Sequence, residues 1–188
     1  MGDRRAGRLL LASRSPQRRA ILQQIGISFE VRVAEVEELT AGPPEEVALE
    51  NAYRKAAAVG PGATPVLGVD TIVSLGATIY GKPADRDAAA QTLRALSGRR
   101  HAVISGLCLI EGERVRTAAA RTLVDFRGLS AATINAYVDC GEWRERAGGY
   151  AIQGRGALLV RAIEGDYLNV VGLPVAALVD LAPWLIER

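Results

Sequence analysis

Histidine is nearly missing from this chain: His101 stands alone among 188 residues. A histidine metal cluster or a Ser-His nucleophile pair would ask one imidazole to do everything. Both are therefore excluded, and any general base falls to a carboxylate. His101 itself, between Arg100 and a run of β-formers, reads as structural. Cysteine is nearly as scarce. Cys108 and Cys140 have no second pair, which argues against a disulfide framework or a zinc site and fits a reducing compartment. Cys108 lies in an apolar run and reads as a small core residue. Charge of one sign is missing too: 23 Lys+Arg against 21 Asp+Glu leave a net charge of +2. No nucleic-acid footprint is expected from that balance. No apolar run approaches the length of a membrane span, and Leu9–Ala12 is too short for a signal peptide. Met1-Gly2 lacks the hydroxyl residue of a myristoylation signal. These absences predict a cytoplasmic protein without a membrane partner. No GxxxxGK[ST] occurs, so a P-loop is excluded as well.

What is present is ordinary globular composition, 49% apolar and 23% charged, over a length that suits one domain across residues 1–188. Strand and helix signals alternate. Leu9–Ala12 reads as a buried strand, Pro16–Gly26 as a helix stopped by its glycine, and Phe29–Val33 as a strand. An acidic loop follows, then an Ala- and Glu-rich helix from Pro44 to Val59. Val66–Ser74 is rich in β-formers, and Asp85–Leu96 is a helix capped by Asp85. His101–Ile110 and Val115–Phe126 form a long hairpin around Glu111-Gly112-Glu113. Ser130–Val138 is a Ser-capped helix. Strands are expected at Leu158–Ile163 and Tyr167–Val171, and a last helix from Pro174 to Trp184. The pattern is α/β, and the hairpins favour a mixed sheet over a purely parallel one.

Several stretches could carry chemistry. The first strand runs into Ser13-Arg14-Ser15-Pro16-Gln17-Arg18-Arg19. Free amides and the helix dipole at that turn favour an anion, and the arginines add bidentate donors. A plain Ser N-cap with solvated arginines would look the same. Val66-Leu67-Gly68-Val69-Asp70-Thr71 offers a carboxylate on a rigid strand, suited to a base or a hard cation, or else to a turn. Lys82 in Gly81-Lys82-Pro83 is held between a glycine and a proline. Gly148-Gly149-Tyr150-Ala151-Ile152-Gln153-Gly154-Arg155-Gly156 lets backbone approach a ligand, with Gln153 able to read a base edge, or it is a flexible hairpin. Glu37, Glu38 and Lys55 would each pass alone as solvated charges.

Together, and in this order, the Ser-x-Ser-Pro-x-Arg opening, Gly-x-Asp-Thr, Gly-Lys-Pro, Leu96-Ser97-Gly98, Ala147-Gly148-Gly149-Tyr150-Ala151-Ile152-Gln153-Gly154 and Val171-Gly172-Leu173-Pro174 resemble the Maf proteins. These are the septum-formation-inhibitor-like nucleoside triphosphate pyrophosphatases. The resemblance runs from about Leu9 to Leu181. It implies an α/β fold of the Maf/Ham1 (ITPase-like) type, an elongated mixed sheet flanked by helices with two lobes around a cleft. It also implies hydrolysis of a nucleoside triphosphate to the monophosphate and pyrophosphate with a divalent metal (Mg²⁺, Mn²⁺ or Co²⁺). Matched motif by motif, Asp70 would be the catalytic carboxylate and, with Glu38, a metal ligand. Ser13, Arg14, Ser15, Arg18, Lys55 and Lys82 would hold the triphosphate. Thr71 and Gln153 match the subgroup that prefers dTTP and UTP. Gln17 departs from it, standing where that subgroup usually has Arg at a position linked to base choice. Relatives often form dimers, which the resemblance extends to a homodimer here. Two other classes remain open at this point: a nucleotide-binding regulator of cell division that hydrolyses nothing, and a phosphatase acting on a small phosphorylated anion.

Overall fold

The computed structural model describes residues 8–187; Met1-Gly2 lies outside them. Its centre is a seven-stranded mixed sheet. The strands are β1 (Leu9–Leu11), β2 (Phe29–Val31), β3 (Val66–Leu75), β4 (Thr78–Tyr80), β5 (Arg100–Glu111), β6 (Arg114–Phe126) and β7 (Val160–Glu164). They lie in the order β2-β1-β3-β5-β6-β7, with β4 folded back on β3. β1 pairs in parallel with β2 and β3, while every later pairing is antiparallel. The mixed sheet expected from the hairpins is therefore present.

Six helices flank it: α1 (Pro16–Gln24), α2 (Pro44–Val59), α3 (Arg86–Leu96), α4 (Ala131–Asp139), α5 (Tyr167–Val171) and α6 (Val175–Leu181). Their starts follow local chemistry. Ser15, Asp85 and Ser130 accept hydrogen bonds from the backbone N–H groups of Arg18, Ala88 and Thr133. Pro44 opens α2 and the acidic Glu45 and Glu46 sit in its first turn.

The long strands feed four apolar clusters, two smaller ones under α2 and two larger ones against the other helices. Leu67 and Val69 of β3 and Leu107 and Leu109 of β5 pack with β1, α1 and α6. Farther along the same strands, Val73 and Val103 pack instead with α3, α4, Trp143 and Tyr150. One sheet thus carries two larger packed regions, and the cleft opens between them. Cys108 is fully buried, and burial pushes its thiol up to about 11, as a core cysteine requires.

Three element assignments change. Tyr167–Val171 is helix α5, because the Asp166 carboxylate caps the Leu168 N–H at 2.7 Å and starts a helix where Val170 and Val171 suggested a strand. Leu158–Ile163 begins inside a short 3₁₀ turn, Arg155–Leu159, and becomes strand only at Val160. The last helix stops at Leu181 because the residue before Pro183 is driven out of the α region: Ala182 has φ −135° and ψ 69°. β4 carried no sequence signal of its own.

Candidate functional site

Alternation along β3 sorts the site. Gly68 and Asp70 face α2, whereas Val69 and Thr71 face α1 and the C-terminal helices. Gly106 of β5 lies directly opposite Asp70 in the register. A Cβ on Gly68 would come 2.0 Å from the Ala52 carbonyl oxygen, and one on Gly106 would come 2.3 Å from that of Ala48. The two glycines therefore let α2 lie almost on the sheet beside Asp70. That closeness is what allows side chains one turn apart on α2 to reach the carboxylate.

Asp70 is buried, and both its oxygens are engaged. Lys55 Nζ donates to Oδ1 at 2.5 Å, and Asn51 Nδ2 donates to Oδ2 at 3.1 Å. The same ammonium lies 2.9 Å from Oε1 of Glu38, whose side chain is half exposed. Asp70 and Glu38 thus face each other across one cation. Among the described residues no group of three or more His, Cys, Asp or Glu clusters as a metal site. Two carboxylates of this kind are a hard-oxygen donor set that suits Mg²⁺ or Mn²⁺ when substrate oxygens complete the coordination.

On the other face, Arg18 organises the opening turn. Its guanidinium donates to the Gly172 carbonyl at 2.9 Å, to Ser13 Oγ at 2.8 Å and to Thr71 Oγ1 at 3.0 Å. Thr71 Oγ1 also lies 2.8 Å from Ser105 Oγ. Burial pushes the Arg18 guanidinium below its ordinary value while Asp70 and Glu38 pull it back up. It remains a cation throughout. The arginine-bearing turn and the lone aspartate, about fifty positions apart in sequence, therefore meet through Thr71. The far wall carries Lys82, which donates to Glu145 Oε2 at 2.9 Å. Glu145 holds φ 59°, the one non-glycine with positive φ among the described residues.

These groups line one cleft of about 980 Å³, large enough for a nucleotide. Ser13, Arg14, Ser15, Gln17, Arg18, Glu38, Lys55, Asp70, Thr71 and Lys82 all reach it. Two positions sit differently from their sequence reading. Gln153 is exposed and is not among the residues lining the cleft. The Gly-rich loop turns it outward, because Glu142 accepts from the backbone N–H groups of Arg155 and Gly156. Arg14 lines the cleft but is largely exposed and lies 3.6 Å from Glu35.

Sequence reasoning passed over Asn51 and Glu145, and quoted Gly172 only within the Val171-Gly172-Leu173-Pro174 motif. A polar amide on the otherwise apolar Val47-Ala48-Ala52-Ala56 face of α2, one turn before Lys55, was a usable signal for Asn51. The Gly172 carbonyl and the Glu145 side chain gave no signal for these contacts, since their partners, Arg18 on α1 and Lys82 in the loop after β4, lie far away in sequence. No helix among the described residues is long and apolar enough to cross a membrane.

The family model described as Maf-like protein matches residues 8–183. A dTTP/UTP pyrophosphatase of Symbiobacterium thermophilum is 47% identical over 178 residues, covering 92% of this chain and 91% of that protein. One from Gloeobacter violaceus is also 47% identical, covering 93% of this chain and 94% of its own. Among solved structures, that of the Staphylococcus aureus Ham1 protein is similar over 63% of this chain and 71% of that one, with a TM-score of 0.47 and 16% identity. A family match across nearly the whole length, and relatives at this identity, settle membership: the chain belongs to the Maf-like family.

Proposed function

We propose that this chain hydrolyses dTTP, UTP and modified pyrimidine nucleoside triphosphates to the monophosphate and pyrophosphate. The observation that carries the reading is the meeting of Asp70, through its neighbour Thr71, with the Arg18-bound turn at the floor of one cleft. The dTTP/UTP pyrophosphatases aligned along nearly the whole chain support the base preference.

The chemistry follows from the groups present. Asp70, fixed on a rigid strand, accepts a proton from the attacking water. That water forms a bond to the α-phosphorus while the bond to the oxygen bridging the α- and β-phosphates breaks, releasing pyrophosphate. Arg18 and Lys82 offset the charge that grows on the departing pyrophosphate. Ser13 and Ser15 offer hydroxyls, and the first turn of α1 offers N–H groups, to the phosphates. A divalent cation held by Asp70 and Glu38 would polarise the phosphate and acidify the water. Lys55, which contacts both carboxylates, adds a positive charge to the same end of the cleft as the substrate phosphates. Gln17 and Thr71 lie in the same cleft and are the candidates for base choice.

A nucleotide panel tests the reading: UTP, dTTP, CTP, pseudouridine and 5-methyl analogues and 7-methyl-GTP, each with Mg²⁺, Mn²⁺ or Co²⁺. Phosphate is read after added inorganic pyrophosphatase. A signal that needs the coupling enzyme, largest for the uracil and thymine nucleotides, is the expected result. Saturable binding without any phosphate would instead indicate the non-hydrolysing regulator. Phosphate released without the coupling enzyme would indicate a phosphatase.

A further inference from the structure

Asn51 has no part in the chemistry above, yet it touches one carboxylate of the pair, Asp70, and the backbone of Leu39, next to the other. It is 1% exposed in the middle of α2, where an amide is tolerated only if its hydrogen bonds are made. All three of its contacts concern the site. Nδ2 donates to Asp70 Oδ2 at 3.1 Å and to the Leu39 carbonyl at 3.0 Å, while Oδ1 accepts from the Leu39 N–H at 2.7 Å. Leu39 directly follows Glu38, so the amide grips the peptide that joins them. The segment around it, residues 32–43, contains no helix or strand that could hold Glu38 in place. Lys55 also links the two carboxylates, but through the tip of a flexible four-carbon stem. Asn51 links them through a short side chain with backbone on one side and Asp70 on the other.

Resting on the pyrophosphatase reading, we propose that Asn51 is a positioning residue that holds Asp70 and the Glu38-bearing loop in one arrangement. Both carboxylates then face the same triphosphate and the same divalent cation. An apolar side chain at this position would leave Asp70 Oδ2 and both polar groups of Leu39 unpaired, and the loop would lose its two-point attachment to α2.

The test compares the wild type with Asn51→Ala, Asn51→Asp, Glu38→Gln and the Asn51→Ala/Glu38→Gln double variant. Steady-state kinetics with UTP and Mg²⁺ are combined with NMR hydrogen exchange at the Leu39 amide. The expected result is a kcat at least about tenfold lower in Asn51→Ala with KM changed by less than about threefold, because Arg18 and Lys82 are untouched. In the Glu38→Gln background the same substitution should cost clearly less than in the wild type, since one of the two carboxylates it aligns is already gone while Asp70 remains. Leu39 exchange should speed up by at least about tenfold. Asn51→Asp keeps the size and the acceptor for the Leu39 N–H but loses both donors, so if the alanine variant fails to fold this one should still show the lower kcat, with Leu39 exchange unchanged. Equal losses in both backgrounds, a loss confined to KM, or an unchanged kcat would overturn the proposal. If the wild type released no pyrophosphate from any triphosphate, the pyrophosphatase reading would fall on its own. Unchanged Leu39 exchange in Asn51→Ala would still refute the clamp.

Discussion

Arg18 carries five N–H donors, and the structure commits three of them to Gly172, Ser13 and Thr71. The guanidinium is therefore a tie between β1, β3 and the end of α5 as well as a cation facing phosphate. Arg18→Lys keeps the charge but cannot reach three acceptors in a planar fork. Two losses are expected together: kcat/KM at least about tenfold lower, and stability reduced by about 2–4 kcal/mol because buried acceptors lose charged donors. Thermal melts run beside the kinetics check both, and a variant with full stability would show that the tie is unimportant. Asp70→Asn behaves differently. It keeps the shape, and Lys55 can still donate to the amide oxygen, but the new amide NH2 faces the Asn51 Nδ2 donor, so stability should fall by about 1–3 kcal/mol while turnover falls roughly a thousandfold. Turnover near that of the wild type, with metal present, would remove Asp70 from its role. At this scale the sequence was informative where chemistry sits in a short motif, as at Ser13–Arg18 and Asp70-Thr71. At Gln153 the motif carried no placement: the side chain is exposed and outside the cleft lining, on a loop whose Arg155 N–H is held by the Glu142 carboxylate thirteen positions away.

At the scale of elements, the decisive contact is α2 against β3 and β5. Gly68 and Gly106 are the reason α2 lies close enough for Lys55 and Asn51 to touch Asp70. Gly68→Ala places a methyl group 2.0 Å from the Ala52 carbonyl oxygen, a backbone atom that cannot swing aside. The helix must retreat. A cost of about 1–3 kcal/mol is expected from the overpacking, with kcat falling more than the melt alone explains, because the retreat withdraws both α2 side chains from the carboxylate. A melt and a kcat close to wild type would show that α2 adjusts without disturbing the site. Most element boundaries were legible, since capping residues and glycine stops act locally, as at Ser15, Asp85 and Ser130. The failures differ in cause. At Tyr167–Val171 a cap outweighed β-branched propensity, and β4 exists only because β3 offers it a partner.

Across the whole molecule, pH dependence of stability tests how the second packed region is built. His101 on β5 is buried, with Nε2 2.9 Å from the Tyr150 hydroxyl and its ring edge-on to Phe126 at 4.8 Å. Burial lowers its pKa from 6.5 to about 4, and the nearby Asp125 offsets this only in part. A folded-state value below the unfolded one means that the unfolded chain binds more protons in between. Stability is therefore fully present above pH 6.5 and falls as the pH drops toward 4. Between about pH 6.5 and 5 the loss should be about 1.5 kcal/mol. Asp125 and Glu145, held below the usual carboxylate range by Arg100 and Lys82, add losses of the same sign only at lower pH. His101→Phe removes the titrating group while keeping an aromatic ring among Phe126 and Tyr150. It should lower stability by a roughly constant amount of about 1 kcal/mol, since the Tyr150 hydroxyl loses its partner. The decline between pH 6.5 and 5 should disappear. Urea unfolding at several pH values decides the matter: a decline of equal slope in the variant would mean that His101 is not the group protonated on unfolding.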